Sequence, residues 1–152
     1  MTTDDRSERG IEMTTAAVDR YLADSGHGTL SLAVDGEPYG VPMSFGYDGD
    51  QLYLTALTFG GDSRKASMIE GNRTVCLTSY EIESTHDWAS VVVEGTLESV
   101  PDEEIEHVDD VMDETAWVPG LNPPPDPITG VDRYVLSIDR ATGRAGSEYS
   151  TD

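Results

Sequence analysis

The sequence predicts a mainly β domain of the α+β class, an antiparallel sheet of six to seven strands with peripheral helices. Three observations predict it. Short segments alternate apolar and polar residues with period two. Asp-Gly and Gly-Asn turn signals separate them. Helical spacing is confined to three stretches, at the start, in the middle and before the last strand. Short hairpins make sequential strands antiparallel. A sheet of this size must curl closed or pair with a second copy to hide its edges.

The elements follow in chain order. Residues 1–10 read as a flexible tail and 11–152 as one domain. From Glu12 to Ala23, Met13, Ala16, Ala17, Tyr21 and Leu22 recur at helical spacing, and Asp24-Ser-Gly-His-Gly28 breaks the pattern. Thr29 to Val34 alternates as a strand, Asp35-Gly36 is a hairpin signal, and Tyr39 to Tyr47 is the return strand. Pro42 within it points to an edge or a bulge. Asp48-Gly49-Asp50 turns the chain into a third strand, Gln51 to Ala56. After a glycine-bearing loop, Ser63 to Glu70 has the composition of a short helix, N-capped by Asp62 or Ser63 and closed by Gly71-Asn72. Arg73 to Ser79 is a fourth strand, with Cys76 expected to be buried as a small apolar group. Glu81 to Asp87 is a polar loop, and Trp88 to Val100 is the strongest strand, carrying Val91-Val92-Val93. An acidic helix from Pro101 to about Trp117 presents Val108, Val111 and Met112 inward. Pro119 to Pro127 is a rigid loop, Val131 to Asp139 the last long strand, and Arg144 to Glu148 a segment able to pair with it.

The charge balance excludes several classes of partner. The chain of 152 residues carries 30 Asp+Glu against 9 Lys+Arg, a net charge of −21, and Lys65 is its sole lysine. Nucleic acid and anionic membranes both require cationic surface, so neither is expected as a partner. Self-repulsion on this scale destabilises the fold in dilute salt and is screened at molar salt, where the Debye length is about 3 Å. An acidic surface almost free of lysine suits a cytosol filled with potassium chloride, as in a halophilic archaeon or bacterium. No apolar run reaches the roughly 18–20 residues that span a bilayer, and Met1 to Gly10 has no apolar core of a signal peptide, so a cytoplasmic location is expected. The single cysteine excludes an internal disulfide.

One short stretch concentrates the chemistry. Ser63-Arg64-Lys65-Ala66 places the sole lysine beside an arginine at a helix N-terminus, where free backbone N–H groups add a partial positive charge. This positive island could receive one phosphate group, with Arg64 as a bidentate fork and Lys65 as a point charge. The alternative is that both side chains pair with surface carboxylates.

The run Leu52-Tyr-Leu-Thr-Ala56, Ser63-Arg-Lys-Ala66, Asn72-Arg-Thr-Val-Cys-Leu77 and Ser90-Val-Val-Val-Glu-Gly95 resembles the pyridoxamine 5′-phosphate oxidase-like family. Upstream, Gly36 to Asp48 resembles the nitroimidazole-resistance branch of the same superfamily. The resemblance covers roughly Tyr21 to Val100. It implies a split β-barrel, a homodimer, and FMN bound across the subunit interface. It further implies that Arg64 and Lys65, assisted by Ser63, hold the FMN phosphate. Leu54 and Thr55 would line the phosphate and ribityl part, and the backbone of Pro42, Met43 and Ser44 would flank the isoalloxazine ring. Ser90 stands where the oxidase branch carries a glutamine that contacts flavin. Thr55 stands where the nitroimidazole-resistance branch carries histidine. The C-terminal tryptophan and arginine of the true oxidase have no clear counterpart, so fold and cofactor transfer better than the pyridoxamine reaction does. The expected function is a flavin-dependent oxidoreductase acting on a small molecule. Its alternatives are a flavin-storing or redox-sensing protein and a deazaflavin- or haem-binding member of the fold.

Other motifs carry less. His27, His86 and His107 have no zinc-ligand spacing. Gly26-His-Gly28 precedes a strand rather than a helix, so it is no dinucleotide fingerprint. Asp102-Glu-Glu104 and Asp109-Asp110 read as a solvated helix face. Trp88 and Trp117 read as core or interface anchors.

Overall fold

The computed structural model describes residues 10–59, 73–115 and 128–150. Their order is β1 (Ile11–Glu12), α1 (Thr15–Ser25), β2 (His27–Val34), β3 (Glu37–Tyr47), β4 (Leu52–Phe59), β5 (Arg73–Ile82), β6 (Trp88–Ser99), a 3-10 turn (Asp102–Glu104), α2 (Ile105–Thr115) and β7 (Ile128–Ala145). The strand order is β1-β7-β4-β3-β2-β5-β6, and β7 also pairs with β6. Six strands therefore close into a ring, with β1 appended to β7. Every described pairing is antiparallel. This is a split β-barrel with two peripheral helices among the described residues.

The split lies at the β2–β3 hairpin. Asp35 and Gly36 both have positive φ, 52° and 80°, the geometry of a two-residue type I′ turn whose twist matches the strands. β2 and β3 pair along their length, from Val34↔Glu37 to His27↔Ser44. Each holds its other neighbour by a short ladder, β2 to β5 over Thr29–Ser31 and β3 to β4 over Phe45–Tyr47. In a two-residue hairpin the closing pair is hydrogen-bonded, and bonded pairs then alternate. Pro38 and Pro42 fall at the non-bonded positions, so their nitrogens face away from β2. No described strand pairs with β3 there, so Pro42 occupies an edge and costs no ladder bond.

Alternation sends Leu30, Leu32, Phe45, Leu52, Leu54, Val75, Leu77, Val91, Val93, Leu97 and Leu136 into one core. α1 closes an end of the barrel with Ala17, Val18, Tyr21 and Leu22 in that core. Val18 takes the inward place expected for Ala16, which is exposed. The helix starts later than the apolar spacing suggests because the Thr14 hydroxyl caps it, accepting from Ala17 N at 3.1 Å. It runs on to Ser25 and ends at Gly26, in the left-handed conformation with φ 76°. Cys76 is half-buried on the outer face, not in the core, because period two sends Val75, Leu77 and Ser79 inward. Gly10, assigned to the tail by composition, is buried, and its carbonyl accepts a hydrogen bond from Arg144 Nη1 at 3.3 Å.

The C-terminal strand is longer than its alternation predicts. Residues expected as two segments form one strand of 18 residues. Its first half pairs with β4 and its second with β6, the two ladders overlapping at Tyr134–Leu136. The apolar pattern fades after Ile138 because one face of the second half is exposed, so the ladder to β6 sustains the strand instead.

α2 lies outside the barrel. Val108 and Val111 pack with Tyr53 and Val135 in a second apolar cluster, joined by Met112, as the helical spacing predicts. Asp48 ties this helix to the β3–β4 turn. It accepts from Asp50 N at 2.9 Å, Gln51 N at 2.8 Å and the Tyr53 hydroxyl at 2.8 Å, and it contacts His107 Nε2 at 3.3 Å. The His107 ring meets Tyr53 edge-on, with centroids 5.6 Å apart. Burial alone would raise the Asp48 pKa, but these hydrogen bonds outweigh it and hold the carboxyl below its ordinary value. A depressed folded-state pKa contributes stability above the unfolded value of about 4, lost as pH falls through the folded value. Asp48→Asn is therefore expected to cost about 1–2 kcal/mol at pH 7. Urea titrations across pH should show the gap to wild type closing below about pH 4. A gap that persists undiminished at low pH would show that charge plays no part.

Candidate functional site

The described residues enclose a cleft of about 410 Å³ where β2, β3 and β5 meet at the split. β2 contributes His27, Gly28 and Thr29, β3 contributes Pro42, Met43 and Ser44, and β5 contributes Thr78, Ser79 and Tyr80. The register explains the meeting: Thr29 lies opposite both Pro42 and Thr78. Gly28 permits the close approach of β2 to β5, since a Cβ there would stand 2.7 Å from the Thr78 carbonyl oxygen. The lining is hydroxyl-bearing and apolar, with no carboxylate, although the chain carries 30 acidic residues. The volume falls within the usual range for small-molecule sites, about 300–1,000 Å³.

A buried polar network holds the floor of this cleft. Ser79 is 1% exposed. Its hydroxyl donates to the His27 carbonyl at 2.7 Å and lies 2.9 Å from both the Tyr21 hydroxyl and the Ser25 hydroxyl. With the Ser79 proton committed to His27, the Tyr21 hydroxyl is left to donate to Ser79, and the Ser25 hydroxyl also donates to the His27 carbonyl at 3.3 Å. Burial raises the Tyr21 pKa, against the opposing effect of the Ser79 and Ser25 hydrogen bonds, and so keeps that donor protonated. The network fastens α1 to the start of β2 and to β5, fixing two walls of the cleft. Its sequence signal is faint: Ser79 is a polar residue in step with the inward pair Val75 and Leu77.

The residues singled out from sequence divide into four groups. Pro42, Met43 and Ser44 come together in the cleft, with Met43 buried beneath the other two. Leu54 is fully buried in the barrel, so only its backbone could line a ligand. Thr55 lies opposite Arg133, whose guanidinium forks onto Asp109 of α2 at 2.7 and 3.1 Å. Ser90 lies opposite Tyr80 on one side and Arg144 on the other, and lines a neighbouring cleft of about 320 Å³ with Arg140 and Arg144. Ser63, Arg64, Lys65 and Trp117 lie outside the described residues. His27, Thr78, Ser79 and Tyr80, all in the cleft, are absent from the sequence-based set. Among the described residues no three His, Cys, Asp or Glu side chains cluster to hold a metal, and no helix is long and apolar enough to cross a membrane.

A closed six-strand ring, a split at one hairpin and a cleft at that split whose described lining carries no carboxylate define a split β-barrel protein of the pyridoxamine phosphate oxidase type. The profile of the family described as pyridoxamine 5′-phosphate oxidase matches residues 14–145, and the chain belongs to that family. It is 30% identical over 127 residues to an uncharacterized protein of Rhizobium meliloti (strain 1021), covering 76% of this chain and 82% of the relative. Among solved structures it resembles an FAD-binding protein from Mesorhizobium loti, with a TM-score of 0.70, 24% identity and coverage of 90% of this chain and 96% of the other. It also resembles an FAD and heme binding protein from Mycobacterium smegmatis, with a TM-score of 0.68, 18% identity and coverage of 93% and 76%. At these identities the two structures establish the shared fold alone.

Proposed function

We propose that this protein binds FMN and acts as a flavin-dependent oxidoreductase on a small molecule. The observation that carries the reading is the cleft between β2, β3 and β5, free of carboxylates among the described residues, on a strongly acidic chain. An uncharged planar ring system suits such a lining, with backbone and hydroxyl groups available to its polar edge. Pro42, Met43 and Ser44 would flank the isoalloxazine, and Ser63, Arg64 and Lys65 would hold the phosphate. The flavin supplies the redox chemistry, and the chain supplies binding, orientation and exclusion of water. Tyr21 and Ser79 would keep the cleft wall rigid beneath the ring.

The FAD-binding relatives favour one second reading, FAD in place of FMN. A homodimer fits both readings. Tyr80 at the cleft and Ile82 further along β5 are 60% and 68% exposed, and a second copy laid over this face would cover them. Protein purified at molar potassium chloride is expected to be yellow, and mass spectrometry of the released ligand separates FMN from FAD. Colourless protein that takes up neither added flavin would overturn the proposal. Tight flavin binding with no reduction by NADH or NADPH, and no turnover of any acceptor tested, would favour the storage or sensing role.

A further inference from the structure

We infer that the outer face of β6 and β7 carries a binding site for a small dianion, built by Arg140 and Arg144 with the hydroxyls of Ser90 and Thr142. These residues line the cleft of about 320 Å³ that neighbours the candidate flavin cleft.

The starting observation is where the positive charge goes. The chain has 9 basic residues against 30 acidic ones, so an arginine that avoids every carboxylate is unexpected. Arg133 forks onto Asp109, and Arg20 and Arg73 also have interaction partners. Among the described residues, Arg140 and Arg144 form no ion pair, and both line the same cleft. Each has a glutamate directly across the ladder, Glu94 opposite Arg140 and Glu12 opposite Arg144, yet neither glutamate is within ion-pair distance. Arg144 donates instead to the Gly10 carbonyl at 3.3 Å, which anchors its guanidinium while most of its N–H groups stay uncommitted.

The strand register makes this a site rather than two scattered charges. Residues 140, 142 and 144 share one face of β7, and Thr142 and Arg144 stand opposite Val92 and Ser90 of β6. Gly143, between them, lies on the inward face, where a Cβ would stand 2.6 Å from Met13 Sδ. The two arginine Cα atoms are about 13 Å apart along the strand, a span that two long side chains can close from both ends. Guanidinium forks and hydroxyl donors match the oxygens of a phosphate or of two carboxylates. Glu12 also lines the cleft, so its lining carries one positive charge in excess, and its volume limits the ligand to a small anion. Because Ser90 is paired with Tyr80, this site stands one strand spacing, about 5 Å, from the other cleft.

The inference does not depend on flavin binding, and its test is read separately. Calorimetric titration of the full chain with inorganic phosphate and, in parallel, with succinate is expected to show one site per chain for at least one of them. Whichever binds identifies the ligand as a phosphate or a dicarboxylate. Arg140→Gln with Arg144→Gln should weaken that binding at least ten-fold while circular dichroism stays unchanged, since both side chains are exposed. Four results would overturn the site: no binding of either probe to wild type, undiminished binding in this double variant, loss of binding in Arg64→Gln with Lys65→Gln instead, or a changed oligomeric state in the Arg140/Arg144 variant, which would make the pair a subunit contact.

Discussion

Replacing Gly95 by alanine is expected to destabilise the barrel by about 3 kcal/mol or more, the upper end of what overpacking costs. Gly95 sits at a bulge in the β6–β7 ladder: Glu94 pairs with Arg140 and Gly95 with Ile138, so Asp139 is left over on β7. The bulge presses the two backbones together. A Cβ on residue 95 would run into the Ser137 carbonyl oxygen and stand 2.7 Å from Leu136 Cδ2. The first obstacle is backbone in the longest ladder of the barrel, so no side-chain rotation relieves it. For a domain of this size the loss corresponds to a fall in melting temperature of roughly 10 °C. Gly40→Ala is the internal control, because its Cβ would meet nothing closer than 3.9 Å. That variant should stay within about 0.5 kcal/mol of wild type, as surface substitutions do. Equal melting temperatures for the two variants would show that the bulge does not require glycine.

The second large effect is on binding. Arg64→Ala combined with Lys65→Ala is expected to weaken FMN affinity at least 100-fold, about 2.7 kcal/mol, while the melting temperature of the ligand-free protein changes little. The reasoning is electrostatic. In a chain of net charge −21, a phosphate dianion is repelled almost everywhere, so removing its two neighbouring cations leaves little to hold it. The effect should grow at low salt, where the acidic surface is least screened. Fluorescence titration of the double variant with FMN reads it directly, and unchanged affinity would sink the phosphate-site assignment. Riboflavin, which lacks the phosphate, should bind wild type and variant alike.

Much of this fold was legible because several strands obey a simple alternation. Asp35-Gly36 named its own turn, and the buried residues of β5 and β6 follow the period-two pattern closely, whereas β4 buries Leu52, Tyr53 and Leu54 in succession because α2 covers its outer face at Tyr53. What escaped had physical reasons. Ile11–Glu12 is too short to show a period and is a strand only because β7 offers it an edge. The far half of β7 is held by its ladder rather than by burial, so hydropathy could not trace it. Cys76 lies outside the core because strand register, not residue type, decides which face it takes. At the site, Pro42, Met43 and Ser44 were reachable through the family resemblance, whereas Ser79 and the Tyr21 hydroxyl matter through contacts 58 residues apart in the chain. The pairing of Arg140 with Arg144 emerges only when β7 is seen as continuous.

That continuity governs how the molecule comes into being. Among the described residues, β7 comes last of the barrel strands in chain order and alone bridges β4 and β6. During synthesis the earlier strands can form only an open ribbon, with both terminal edges bare, until residues near 145 have emerged. Ring closure then joins segments some 80 residues apart, such as Leu52 to Leu136, and such distant pairings fold slowly. A nascent chain stalled before β7 would expose two sticky margins, so quality-control proteases and chaperones should meet this protein chiefly in that interval.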